Sequence, residues 1–178
     1  ILEKCGFNVN SYEPDPLHIK KMNKMLIANH SKNILVKQKA VSVKDGVMNF
    51  VRVVENTTSS HLEGAKENAY GKLDTFKVET ISIKNIFNEN DFIKMDIEGE
   101  EANVITCLSK DDWKNTDMVL EVGSEKNANI IFNHLRKINV NMFSQKNGWS
   151  LVKSQLEIPN TYREGTLFIT TQNEMNWK

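Results

Sequence analysis

The residues best suited to chemistry gather in one stretch, Phe92–Ile93–Lys94–Met95–Asp96–Ile97–Glu98–Gly99–Glu100–Glu101. It begins apolar and ends rich in carboxylates. Alternate residues of a strand share a face, so Lys94, Asp96 and Glu98 lie on one side and Ile93, Met95 and Ile97 on the other. Carboxylates placed this way can draw a proton from a hydroxyl or ligate a hard cation. Lys94 is expected to pair with one of these acids. A central parallel strand is covered on both faces, and charges there are tolerable only at its carboxyl end. That end is where open α/β sheets bind ligands. Asp96 is therefore expected at the floor of an active site on a central strand. An edge strand with a solvated charged face is the plainer alternative.

A second candidate is Tyr12–Glu13–Pro14–Asp15–Pro16, an acid at the end of a strand that two prolines terminate. An acid so placed can accept hydrogen bonds from a ribose diol. Ala40–Val41–Ser42 lies at the end of the next strand. His61 sits in a polar stretch, residues 55–70, read as a surface loop, where a histidine is usually without a role. Tyr162 and Arg163 precede the last strand and are read as an exposed loop. Glu121, near the end of another strand, makes a hard-oxygen cation site with Asp96 and Glu98 conceivable, but no histidine lies at ligand spacing with them, and no metal is assigned.

These residues must be held by alternating strands and helices. Residues 1–6 read as the end of a helix closed by Gly6, followed by a strand at 7–13 and a helix at 17–29. A strand at 34–43, the turn Asp45–Gly46 and a strand at 47–54 read as a hairpin. A strand at 75–83 leads through a short connection, 84–90, into the strand at Phe92. A helix follows to about Ser109, then a strand at 117–123. Residues 126–137 form an amphipathic helix with Ala128, Ile131, Phe132 and Leu135 on one stripe. Short strands at 140–144 and 149–153 and a closing strand at 165–171 complete an α/β chain read as one domain, 1–178.

Composition sets the outer limits. The 178 residues carry 23 basic and 23 acidic side chains, so the balance offers no pull on a polyanion. The lysines at 20, 21, 24, 32, 37 and 39 read as a solvated helix face. Two cysteines are too few for a disulfide framework, and Cys107 falls among apolar helix positions. No apolar run reaches membrane-spanning length and no signal peptide opens the sequence, so the expected compartment is cytoplasmic, with neither membrane nor nucleic acid as partner.

Taken in order, Tyr12–Pro16, Ala40–Ser42, the Ser59–Ser60 stretch and Lys94–Glu101 together resemble the FkbM family of S-adenosylmethionine-dependent methyltransferases. The resemblance is specific from about Phe7 to Glu121. It implies a Rossmann-like methyltransferase sheet, mostly parallel with an antiparallel edge strand and a β-hairpin insertion. It implies that Glu13, with Pro14 and Asp15, holds the ribose of S-adenosylmethionine, and that Val41 and Ser42 border its adenine. Asp96 and Glu98 then line the methyl-transfer site, with Asp96 the first choice for the base and also in contact with the cofactor. The implied acceptor is a hydroxyl of a sugar or small metabolite. The family's glycine-rich loop should lie about 20 residues before the ribose-binding acid, and Glu13 is too near Ile1 for that. The first strand and its loop are thus expected upstream of Ile1. Two other readings stand beside this one: a nucleic-acid methyltransferase using the lysines on phosphates, and a non-catalytic binding domain if the chain starts at Ile1.

Overall fold

The structure is a computed structural model that describes residues 1–66 and 71–175, with Tyr162 described by its backbone alone. The chain divides into two compact units, Ile1–Ile81 and Ser82–Lys178.

In the first unit, a 3-10 turn at Leu2–Cys5 is closed by Gly6 at φ 91°, the left-handed conformation that favours glycine at a helix end. Strand β1 (Val9–Tyr12) stops before the prolines, and helix α1 (Pro16–Ala28) begins on Pro16 with Asp15 as its cap. Strand β2 (Ile34–Lys37) pairs parallel with β1, Val9 opposite Ile34 and Tyr12 opposite Lys37. The expected single strand at 34–43 is two strands, because β3 (Ala40–Ser42) joins a different sheet.

That second sheet comprises β3, β4 (Gly46–Val53), β5 (His61–Leu62) and β6 (Leu73–Ser82), in the order β3-β6-β4-β5. The expected hairpin of 34–43 with 47–54 is therefore corrected. Strand β4 pairs antiparallel with β6 along its whole length, from Gly46 opposite Thr80 to Val53 opposite Leu73, and with β5 on its other side. A strand of three residues cannot compete with the ladder and apolar face that β6 offers. Ala40, Phe50, Leu62 and Val78 form the buried cluster, with Met48 and Phe76 packed against it. The stretch read as a loop at 55–70 carries a 3-10 turn and β5; its residues 67–70 lie outside the described residues.

The second unit opens with helix α2 (Ile83–Glu89), where only a connection was expected. Ser82 caps it, and Ile83, Ile86 and Phe87 are buried at helical spacing. There follow β7 (Phe92–Met95), α3 (Glu101–Thr106), β8 (Asp117–Leu120), α4 (Glu125–Lys137), β9 (Asn141–Ser144), β10 (Ser150–Leu151) and β11 (Leu167–Thr170). The strands form one sheet in the order β10-β9-β11-β8-β7. Strands β7 and β8 are parallel; β11 runs antiparallel to both β8 and β9, and β10 antiparallel to β9.

Two expectations change here. The sheet is mixed, not mostly parallel, and the antiparallel closing strand lies inside it. All four residues of β11 are buried, and a strand apolar on both faces needs cover on both. Strand β7, read as central, is the end strand of this sheet among the described residues. Its alternation is as expected, with Ile93 and Met95 buried and Phe92 and Lys94 exposed. Helix α4 buries Ala128, Ile131 and Leu135 of the anticipated stripe. Trp113 is fully buried and meets Phe87 edge-on at 4.8 Å between centroids. No helix among the described residues is long and apolar enough to cross a membrane.

Candidate active site

Strand β7 ends at Met95, so Asp96, Ile97, Glu98 and Gly99 make the turn into α3. The parallel register with β8 continues one step further, as the Glu121 N–H donates to the Met95 carbonyl at 3.0 Å. That bond sets Glu121 beside Asp96 at the carboxyl ends of the two strands. Lys94 lies between the two acids, its Nζ 3.5 Å from Asp96 Oδ2 and 3.9 Å from Glu121 Oε2. All three side chains are partly open, between 31% and 51% exposed, so a ligand can reach them. Partial burial, with the charges of Asp96 and Glu98 adding to it and Lys94 opposing, pushes the Glu121 carboxyl above its ordinary range. The expected pairing of Lys94 with an acid is present.

The turn itself is unusual. Glu98 at φ 56° and Gly99 at φ 115° are successive residues with positive φ. For a glutamate this conformation costs about 1–2 kcal/mol, so something outside the turn must hold it. Glu101, only 1% exposed, accepts hydrogen bonds from the Gly99 N–H at 2.9 Å and from Asn127 Nδ2 at 2.7 Å. Asn127 Nδ2 also lies 3.2 Å from the Gly99 carbonyl. Burial raises the Glu101 carboxyl, its hydrogen bonds oppose that, and the Asp96 charge adds to it.

In the first unit, Glu13 follows β1 and is half-buried. Its Oε1 accepts the Asp15 N–H at 2.8 Å, and its Oε2 lies 3.5 Å from His18 Nδ1. Pro14 is likewise half-buried. Asp15 has no exposed surface: its Oδ1 accepts from Leu17 N at 2.7 Å and from Arg52 Nη2 at 2.8 Å, and its Oδ2 from Arg52 Nε at 2.7 Å. Burial alone would raise this carboxyl, yet the bonds and charge of Arg52 and the Leu17 bond hold it below the usual carboxylate range. Asp15 thus organises the turn that carries Glu13. Val41 is partly buried on β3, and Ser42 is buried, its Oγ 3.6 Å from Met48 Sδ.

His61, read as a surface residue, is instead 3% exposed on β5, with Nδ1 2.9 Å from the Ser59 carbonyl oxygen. Its place opposite Val51 in the ladder buries it. Arg163 is exposed, and the Tyr162 side chain lies outside the described residues. Cys107 is partly buried, and burial raises its thiol, which keeps it from being a ready nucleophile. Among the described residues no group of three His, Cys, Asp or Glu is arranged to hold a metal.

Sequence reasoning passed over Arg52 and Asn127. Each had a signal. Arg52 is the sole charge in β4, and Asn127 is a polar residue on the buried side of an otherwise apolar helix stripe.

No curated protein and no solved structure matches the chain. A family model described as the methyltransferase FkbM domain does match it, over residues 2–147. That span takes in the turn after β1, all of β3, and the acidic ends of β7 and β8. By that match, which runs through every acid described above, the chain belongs to the FkbM methyltransferase family.

Proposed function

We propose that the chain is an S-adenosylmethionine-dependent O-methyltransferase whose acceptor is a hydroxyl of a sugar or small metabolite. The observation that carries this reading is the Lys94–Asp96–Glu121 group, a partly exposed cation between two carboxylates where two parallel strands end. The residues fit the cofactor. Glu13 offers a half-buried carboxylate to a ribose diol, and the acids after β7 suit a sulfonium centre. The bound cofactor supplies a methyl group already activated for displacement.

What remains for the protein is alignment and one proton. Holding an acceptor oxygen in line accounts for about 7–11 kcal/mol of barrier reduction in favourable cases. A carboxylate that takes the hydroxyl proton adds a factor of about 10²–10⁴. Asp96 is the base in this reading, with Glu98 second. Lys94 orients Asp96 through their ion pair. Asp15 and Arg52 hold the turn on which Glu13 is carried.

Isothermal titration of the full-length gene product with S-adenosylmethionine tests the proposal. Saturable binding, weakened by S-adenosylhomocysteine competition, is expected; no binding overturns it.

A further inference from the structure

We propose that Asn127, on α4 and remote in sequence from the acidic motif, is a positioning residue that works with Glu101 to fix the turn presenting Asp96 and Glu98. The inference rests on the methyltransferase reading for its functional half. Its structural half rests on three hydrogen bonds about one residue, Gly99. The Gly99 N–H is held by Glu101, the Gly99 carbonyl by Asn127, and Asn127 and Glu101 hold each other. Both side chains are buried, Glu101 to 1% and Asn127 to 9% exposure.

The chemistry of the pair explains why these residue types are needed. A buried amide that lost its partner would be costly, and so would a buried carboxylate. Together they satisfy one another and clasp both polar groups of Gly99. The clasp also accounts for the strained turn. Glu98 has a left-handed backbone without being glycine, and Gly99 continues it. Such conformations persist where the surroundings over-determine them, as at functional sites. Ser124 caps α4 through the Asn127 N–H at 3.2 Å, so the amide side chain is delivered from a fixed helix end. Asn127 therefore acts on Asp96 and Glu98 through the backbone, without touching a substrate.

The pair can be tested by exchanging its donor and acceptor. Glu101→Gln leaves a single acceptor for two donors, and Asn127→Asp sets two carboxylates face to face. In the double variant, the amide introduced by Glu101→Gln accepts from the Gly99 N–H and donates to the carboxylate introduced by Asn127→Asp, restoring the central bond while the Gly99 carbonyl goes without its donor. A lost hydrogen bond is worth about tenfold in a local opening equilibrium. Amide hydrogen exchange at Gly99 is thus expected to rise about tenfold or more in each single variant. In the double variant it should fall well below the product of the two. Affinity for S-adenosylmethionine, measured by calorimetry on the same full chains, should fall in the single variants and recover in part in the double, which regains the central bond but not the one to the Gly99 carbonyl.

Exchange in the double variant that equals the product of the singles overturns the clasp. Altered exchange with unchanged cofactor affinity overturns its positioning role. Wild-type chain that binds no S-adenosylmethionine, with coupling still seen in exchange, overturns the methyltransferase reading and the positioning role with it, and is told apart from the other two results by the wild-type titration.

Discussion

Arg52 holds Asp15 with two parallel hydrogen bonds, Nε to Oδ2 at 2.7 Å and Nη2 to Oδ1 at 2.8 Å. Its remaining arm reaches Asp74 Oδ2 at 2.6 Å, and its Cζ lies 4.6 Å from the Phe76 ring centroid. The acid that caps α1 is thereby tied to β4 and β6, and the Glu13 turn between β1 and α1 inherits that rigidity.

Arg52→Ala leaves Asp15 buried and unpaired, a change that typically costs about 3–5 kcal/mol. Urea unfolding should show a lower midpoint with an unchanged slope. Arg52→Lys should fall between the two, since an ammonium cannot make the paired contact. A loss under about 1 kcal/mol in the alanine variant would contradict this account.

Two buried acids give pH effects of opposite sign. The folded Asp15 pKa lies below its ordinary 3.8, so its contribution is present above about pH 3.8 and is lost as pH falls through the folded value. The folded Glu101 pKa lies above its ordinary 4.5, so the folded state binds more proton there. Stability should decline as pH rises from 4.5 through that higher folded value. Urea midpoints across pH check both: Asp15→Asn should remove the acid-side loss, and Glu101→Gln the decline above 4.5.

Glu13→Ala should weaken S-adenosylmethionine binding by about tenfold or more, the worth of a hydrogen bond to a charged group. Glu13→Gln keeps the bond to the Asp15 N–H and should lose less. Calorimetric titration of both variants reads the difference. Equal affinity in wild type and alanine variant would remove Glu13 from the cofactor site.

Asp96→Asn preserves shape but not basicity. Turnover, followed as S-adenosylhomocysteine release with sugar and metabolite hydroxyls, should drop by about 10²-fold or more. Cofactor affinity should fall far less than turnover. An unchanged rate would rule Asp96 out as the base.

Gly99 has φ 115°, a conformation L side chains rarely adopt. Gly99→Ala should destabilise the second unit by at least about 1 kcal/mol. Thermal unfolding of the variant measures it, and a melting point equal to wild type would show that the turn relaxes freely.

Local chemistry was legible wherever neighbours in sequence decide the outcome. Gly6 closes a helical turn, Pro16 starts α1 and the 3.6-residue stripe of α4 faces inward, because caps, fixed φ angles and helical periodicity act within a few residues. The short α2 escaped notice because seven residues give little periodicity, although Ile83, Ile86 and Phe87 share a face.

Pairing was not legible. Asp45–Gly46 looks like a hairpin turn, yet β4 chose β6, which is distant in sequence but offers a longer ladder and a matching apolar face. The burial of His61 has the same origin, since it follows from the ladder with β4.

By itself the sequence determined the residue types at the candidate site, a strand running into Asp96 and Glu98 and a proline-framed Glu13, and the match to the FkbM family. The tertiary structure alone decided their partners. Arg52 lies 37 positions from Asp15, and Asn127 lies 26 from Glu101. Such contacts form only when strands and helices distant in the chain pack together, because a buried charge must find its counterpart wherever folding brings one within reach.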